Sequence, residues 1–138
     1  MPDYRDLLLS AFRTALAAAD AQALLPAHLP PPPKGRTLVV GGGKAAAGMA
    51  RAVETRWPAD APLSGLVVTR YRHGLPLERI EAIEASHPLP DGRGVEAAAR
   101  MLAAIDQLSA DDLLLVLLSG GGSSLLALPA EGVSLKDL

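Results

Sequence analysis

The feature that most constrains this chain is the run Thr37-Leu38-Val39-Val40-Gly41-Gly42-Gly43-Lys44-Ala45-Ala46-Ala47-Gly48-Met49-Ala50-Arg51. An apolar, β-branched stretch meets three glycines, a lysine and then a helix-forming stretch. That order predicts strand, tight turn and helix. Such a turn is expected to present backbone N–H groups, and the helix behind it adds the positive end of its dipole. Anions bind there. Lys44 is expected in the first helical turn, where a cation is disfavoured by roughly 0.3–1 kcal/mol. A lysine set against the dipole makes sense if a negatively charged ligand lies between them. A second stretch has the same grammar: Asp112 to Leu118 reads as a buried strand, followed by Ser119-Gly120-Gly121-Gly122-Ser123-Ser124. The two loops are expected to meet at one anion site.

The 138 residues suit a single core that buries roughly two-thirds of the unfolded surface. Composition says what fills it: 49% hydrophobic but only 3% aromatic residues. The core must be built from aliphatic side chains and alanine, which favours close helix–sheet packing. A net charge of −2 gives no electrostatic case for nucleic acid or an anionic membrane, so any attraction for anions is local. Without cysteine there is no disulfide framework, thiolate metal site or thiol nucleophile, which fits a reducing compartment and a cytoplasmic location. Asp3, Arg5 and Asp6 lead the chain and Arg13 interrupts the apolar part, unlike a signal peptide. Leu113 to Ala130 carries no charge, but its middle is Ser and Gly and Pro129 sits near its end. A strand plus a polar loop is the expected reading, not a membrane helix.

Along the chain, Asp3 is expected to cap a helix from Tyr4 to Ala19. Leu8, Ala11, Phe12, Ala15, Leu16 and Ala19 supply its apolar face. Pro26 to Lys34, with Pro30-Pro31-Pro32-Pro33, is expected to be a rigid extended connector. The first strand is Thr37–Gly41, and the next helix turns Ala46, Met49, Ala50, Val53 and Trp57 to the core before Pro58. Gly65–Arg70 and Ile80–Ala85 are further strands, the latter alternating Ile and Glu like a half-exposed edge. Only Tyr71 to Arg79 joins them, short for a parallel crossover with a helix. A mixed sheet, or two strands that are not parallel neighbours, is therefore expected. Asp91 is the expected cap of a helix from Arg93 to Leu108, with Val95, Ala98, Ala99, Leu102 and Ile105 as its buried stripe. The element order gives an α/β fold: a Rossmann-like three-layer domain, its sheet mostly parallel or mixed, with helices on both faces. There is no internal repeat. Ser134-Leu135-Lys136-Asp137 reads as a helix start, a sign that these residues belong to a longer natural chain.

Each motif competes with a plainer explanation. The P-loop grammar fails, because Leu38 and Ala45 stand where a glycine and a Ser or Thr are required. The dinucleotide pattern fits better, with Gly41-x-Gly43-x-x-Ala46 after a strand. The acid expected about twenty residues on is absent, and Thr69, Arg70 and Arg72 stand at the end of the next strand. Arginines there suit a 2′-phosphate. The plain alternative is that these glycines only allow close helix–strand packing. The Ser119–Ser124 loop has the same alternative, but it follows a buried strand, where open α/β sheets place ligands. Gly122-Ser123-Ser124-Leu125 does not form the Gly-x-Ser-x-Gly nucleophile elbow, so serine chemistry is not expected. His87 reads either as a partly exposed loop histidine or as a polar contact to substrate. His28 and His73 have no evident partner. No His/Asp/Glu cluster has metal-ligand spacing, so a divalent ion would rest mostly on phosphates and on carboxylates outside this segment.

Val39-Val40-Gly41-Gly42-Gly43-Lys44-Ala45, Ser86-His87-Pro88-Leu89-Pro90-Asp91 and Leu117-Leu118-Ser119-Gly120-Gly121-Gly122-Ser123-Ser124-Leu125 occur in this order. Together they resemble the amino-terminal domain of the glycerate 2-kinases, a class also named hydroxypyruvate reductase. The resemblance covers nearly the whole chain. It implies a two-domain α/β enzyme with its site in the interdomain cleft, transferring the γ-phosphoryl of ATP, with Mg²⁺, to the 2-hydroxyl of D-glycerate. By resemblance Lys44 corresponds to the catalytic lysine and Ser119–Ser124 to a ligand-binding loop. The second key basic residue, an arginine, belongs to the carboxyl-terminal domain, which this sequence lacks. Independent activity of the segment is therefore not expected.

The residue chemistry agrees. Phosphoryl transfer needs in-line positioning and charge stabilisation more than covalent help. Lys44 supplies a point charge, while Gly41, Gly42 and Gly43, with Ser119 to Ser124, supply N–H donors. His87 adds a polar contact. Expected partners are D-glycerate, ATP, the carboxyl-terminal domain and a second copy of the chain through any apolar face left uncovered. Two other readings stay open: an NADP-dependent reductase of the hydroxypyruvate type, and a non-catalytic anion-binding domain.

Overall fold

The computed structural model of the protein describes residues 4–137. At its centre is strand β1 (Thr37–Gly42), whose six residues are all buried. Strand β2 (Leu63–Arg70) lies along one side of β1 and strand β4 (Leu113–Leu118) along the other. Strand β3 (Ile80–Ala85) pairs with the outer side of β2. All three pairings are parallel, giving the order β3-β2-β1-β4.

Helices cover both faces, as the three-layer reading requires. Helix α1 (Tyr4–Ala18) and the single turn α2 (Ala21–Leu24) precede the sheet. Helix α3 (Ala46–Arg56) follows β1, α4 (Gly92–Ile105) precedes β4, and α5 (Gly122–Leu125) follows it. The period-two alternation of the strands divides the core. Val39, Val67 and Leu117 pack with Ala46, Ala50, Val53 and Trp57 on the α3 side. Leu38, Val40, Leu66, Val68 and Ile83 pack with Ala97, Met101 and Leu125 on the α4 side. Each such Val, Leu or Ile adds roughly 1.5–3 kcal/mol of transfer free energy. Alanines dominate the helix faces because they let the helices sit close to the sheet.

The sheet is not mixed: β2 and β3 are parallel neighbours although only residues 71–79 join them. The connection contains no helix. Extended chain advances about 3.3 Å per residue against 1.5 Å in a helix, so nine residues reach back along a short strand. The Glu54 carboxylate holds the end of this return. It accepts from the backbone N–H groups of Glu78, Arg79 and Ile80 at 3.1, 2.6 and 2.6 Å. β3 is the expected edge.

Two other expectations shift. The buried stripe of α4 is Gly94, Ala97, Ala98 and Met101, while Ala99 and Leu102 face outward. Asp91 caps the helix directly before Gly92, and the small residues Gly94, Ala97 and Ala98 lie against the sheet. The connector is extended only from Leu29, because Leu25–His28 forms a 3₁₀ turn with Pro26 in its first positions. The cap expected from Asp3 lies outside the described residues. The helix expected after it exists, but its apolar face is not buried among the described residues: Leu8, Phe12 and Leu16 are all exposed. The outer edge of β4 is unpaired among the described residues, with Leu114, Val116 and Leu118 exposed beside Leu102 and Leu128. At Ser134 the helix-start pattern is realised, its N–H and hydroxyl both donating to Asp137 Oδ2 at 2.9 and 2.6 Å. No described helix is long and apolar enough to cross a membrane.

Candidate functional site

The connections after all four strands gather at the carboxyl end of the sheet, because every strand runs the same way. The chain leaves β1 toward β2 on one side, whereas β4 lies on the other. Between β1 and β4 the winding therefore changes direction. Open parallel sheets form a crevice at such a point. The Gly43–Ala45 turn and the Ser119–Ser124 loop face each other across it.

Their backbones are joined. Ser119 N–H donates to the Gly42 carbonyl (3.1 Å) and Lys44 N–H donates to the Gly120 carbonyl (2.9 Å). Ala45 N–H donates to Ser119 Oγ (3.0 Å). Gly43 N–H donates to the Val68 carbonyl (3.0 Å) and Ala46 N–H to the Gly43 carbonyl (3.1 Å). The expectation that the first turn presents open N–H groups is not met: from Gly43 to Ala46 each has an acceptor within the chain. Gly41 and Gly42 are strand residues, and their role is close packing. A methyl group at Gly41 would lie 1.9 Å from the Leu117 carbonyl oxygen, and one at Gly42 would lie 2.6 Å from Leu126 Cγ. Lys44 also sits one residue before the helix cap, Ala45, and not in the first turn.

The second loop differs. Gly122 N–H donates to the Ser119 carbonyl (3.3 Å) and Ser124 Oγ to the Gly121 carbonyl (3.2 Å). The N–H groups of Gly120, Gly121, Ser123 and Ser124 have no acceptor among the described residues. Gly121 has a left-handed backbone, φ 89°. Lys44 and His87 flank it: a methyl group there would lie 2.7 Å from His87 Nε2 and 3.6 Å from Lys44 Cγ. The Lys44 side chain also passes Gly120, whose added methyl would lie 3.9 Å from Nζ. Lys44 is exposed and has no ion pair among the described residues. An unpaired ammonium, four open amide donors and an imidazole thus share one end of the sheet. They can receive an anionic oxygen.

Around this centre lie residues outside the two glycine loops. Thr69 is fully buried, and its hydroxyl donates to the Lys44 carbonyl at 3.4 Å. Tyr71 OH donates to Asp91 Oδ2 (2.8 Å), while Asp91 Oδ1 caps α4 through Gly94 N–H (3.1 Å). Burial pushes the Asp91 carboxyl upward, but the Tyr71 hydroxyl and the Gly94, Ser86 and Arg93 N–H groups outweigh it and hold it below its usual range. The same Asp91 bond, aided by burial, raises the Tyr71 phenol. Arg70 and Arg72 do not form a phosphate fork. Arg70 donates Nε–H to His73 Nε2 (3.0 Å), and Arg72 sits at φ 65° in the turn beyond β2. His73 therefore has a partner that its sequence position hid.

A groove of about 720 Å³ borders the second loop, lined by Pro88, Leu89, Ser123, Ser124, Leu128 and Lys136. Lys44 is not part of its wall. Among the described residues no group of three His, Cys, Asp or Glu side chains is placed to hold a metal ion.

The DUF4147 family, described as a domain of unknown function, matches residues 7–138. The chain belongs to this family. A relative from Agrobacterium vitis, by name a hydroxypyruvate reductase, is 50% identical over 133 residues, which are 96% of this chain and 30% of that protein. A protein of Pyrococcus horikoshii named glycerate 2-kinase is 43% identical over 105 residues, 76% of this chain and 23% of that protein. The crystal structure of glycerate kinase from Thermotoga maritima superposes with a TM-score of 0.83 at 35% identity, covering 99% of this chain and 33% of that one. The likeness to the glycerate 2-kinases read from the three motifs therefore holds. The present DUF4147 chain spans about a quarter to a third of the length of these relatives.

Proposed function

We propose that this chain is the amino-terminal domain of a two-domain, cytoplasmic glycerate 2-kinase, which phosphorylates D-glycerate at its 2-hydroxyl with ATP and Mg²⁺. The observation that carries the proposal is Lys44, an unpaired ammonium beside a loop with four open amide donors. Names of relatives support the reaction class. Lys44 supplies positive charge to the transferred phosphoryl group, in a reaction dominated by positioning and electrostatics. Gly120, Gly121, Ser123 and Ser124 donate N–H groups to anionic oxygens, of phosphate or of the substrate carboxylate. His87 gives a polar contact at the wall. Gly41 to Gly43 shape the turn that carries Lys44. Mg²⁺ would neutralise phosphate charge, held mostly by the nucleotide phosphates and by carboxylates outside this segment.

The carboxyl-terminal domain supplies the opposing wall of the cleft. The outer edge of β4 and its exposed Val116 and Leu118 suit coverage by further chain, since an apolar face of this kind is unfavourable in water. The segment alone is inactive in this reading and self-associates through that face.

The reductase reading draws on the name of the Agrobacterium vitis relative. Two features weigh against it. A dinucleotide pyrophosphate needs open N–H groups in the first glycine turn, and those are engaged. Arg70, the candidate for a 2′-phosphate, is turned onto His73. A deciding experiment uses the enzyme-length chain. D-glycerate-dependent formation of ADP is expected, with turnover reduced about a thousandfold or more by Lys44→Ala and the melting temperature unchanged within about 2 °C. Saturable NADPH binding without competition from ATP would overturn the kinase reading. Near-normal turnover of the Lys44 variant would remove that residue from the mechanism.

A further inference from the structure

Ser119 sits in the second loop, but its hydroxyl is directed to the first. Its Oγ accepts from Ala45 N–H at 3.0 Å, 74 positions away in sequence. Ala45 is the cap residue of α3 and has no side-chain oxygen of its own, so the helix is capped from across the crevice. Ser119 N–H reinforces the join through the Gly42 carbonyl (3.1 Å). The next residue, Gly120, takes Lys44 N–H on its carbonyl (2.9 Å). On the far side the Thr69 hydroxyl donates to the Lys44 carbonyl. The backbone of Lys44 is thus held on three sides, while its ammonium has no ion pair among the described residues. Contact is close on the first-loop side of the hydroxyl: a methyl group at Gly43 would lie 2.2 Å from Ser119 Oγ.

We propose that Ser119 is a positioning residue, which aims Lys44 at the second loop by capping α3 across the crevice, and that it is not itself a substrate ligand. A flexible lysine side chain works against phosphate only if its root is fixed, since misplacement of about 1 Å loses on the order of a hundredfold in rate. Two glycine loops that were merely adjacent would let that root drift. The inference rests on the reading of Lys44 as the residue that meets the phosphoryl group.

Two measurements on the enzyme-length chain test it. In the kinase assay, Ser119→Ala lowers turnover about tenfold or more, with the half-saturating D-glycerate and ATP concentrations changed less than about threefold. In a Lys44→Ala background the same substitution changes residual turnover by less than about twofold, because its effect passes through Lys44. Hydrogen–deuterium exchange of residues 43–47 speeds up about tenfold in Ser119→Ala, an effect independent of activity. Half-saturation that rises with unchanged turnover, equal losses in both backgrounds, or unaltered exchange each overturns the proposal. If Ser119→Ala does not fold, Ser119→Cys replaces a strong acceptor by a weak one at similar volume, and the same shifts are expected in smaller size. If the unsubstituted enzyme makes no 2-phosphoglycerate, the kinase reading fails, and exchange alone decides the cap.

Discussion

The two glycine-rich loops look alike as sequence and are opposites as structure. After β1, the N–H groups from Gly43 to Ala46 are all bonded within the chain. After β4, those of Gly120, Gly121, Ser123 and Ser124 have no acceptor among the described residues. The cause is strand position. β1 has a neighbour on each side, so its exit turn is enclosed by the end of β2 and the loop after β4. Among the described residues β4 has a neighbour on one side only, so part of its loop faces none of them. Glycine content makes a close turn possible. Neighbouring strands decide whether its amides remain for a ligand. The first loop aims a charge, and the second offers donors.

The comparison is broken most forcefully at Gly43. Its φ is 135°, and an added methyl would lie 2.2 Å from Ser119 Oγ and 2.5 Å from the Ser119 carbonyl oxygen. A backbone atom cannot swing aside as a side chain does. Gly43→Ala is expected to destabilise the domain by about 3 kcal/mol, read from urea unfolding, by forcing the two loops apart. A loss below about 1 kcal/mol would show that the loops are not rigidly joined.

In the second loop, neighbouring glycines should respond differently. Gly121→Ala imposes a left-handed conformation on alanine and drives a methyl to 2.7 Å from His87 Nε2. About 1–2 kcal/mol of stability should be lost, together with anion binding measured by phosphate or ATP titration of the enzyme-length chain. The obstruction is a side chain, so the cost is smaller than at Gly43. At Gly120 the nearest atom to an added methyl is Lys44 Cε at 3.7 Å, an ordinary contact. Gly120→Ala should stay within about 0.5 kcal/mol of the parent. Equal losses at both positions would mean that the loop rearranges as a whole.

Much of this was legible in the sequence, and the misses share a cause. The strand–turn–helix unit at Thr37, the capping by Asp91 and the edge character of β3 follow from local pattern, and the structure has them. The parallel pairing of β2 with β3 does not, because it depends on how far an extended return reaches and on its anchorage by Glu54. Nor do the engaged amides of the first turn, whose acceptors Val68, Ser119 and Gly120 come from β2 and from the loop after β4. Lys44, His87 and Gly121 could be named from motifs, and their proximity is a product of the shared strand direction. Thr69 gave no signal beyond a polar residue near the end of an apolar strand, and only tertiary contact shows that it supports Lys44.

Acidification probes the frame around the loops, since neither loop contains a carboxylate. Glu84 is held below its ordinary range by the Gly74 and Arg72 N–H groups, and Asp112 by those of Ser109 and Arg36. A carboxylate depressed in the folded state stabilises the fold above its unfolded pKa of about 4, and that contribution is lost as pH falls through the folded value. The melting temperature should therefore hold from pH 7 to about 5 and fall below about 4. Glu84→Gln should flatten part of that fall. An unchanged pH profile in this variant would exclude the β2–β3 loop as its source.

The smallest expected effect lies in the helix behind Lys44. Gly48 is the third residue of α3, and a methyl group there would meet nothing within 4 Å. Its carbonyl accepts from Gln22 Nε2, a bond that a change at Cβ leaves alone. Alanine removes the entropy that glycine loses on entering a helix, so Gly48→Ala should stabilise the domain by about 0.5–1 kcal/mol, or roughly 2–4 °C in melting temperature. The same residue type in the same segment thus gives opposite signs five positions apart, destabilising at Gly43 and stabilising at Gly48. If Gly48→Ala also destabilises, α3 approaches its surroundings more closely than this structure shows. The contrast between glycines that join the loops and glycines that merely lie near them would then have to be redrawn.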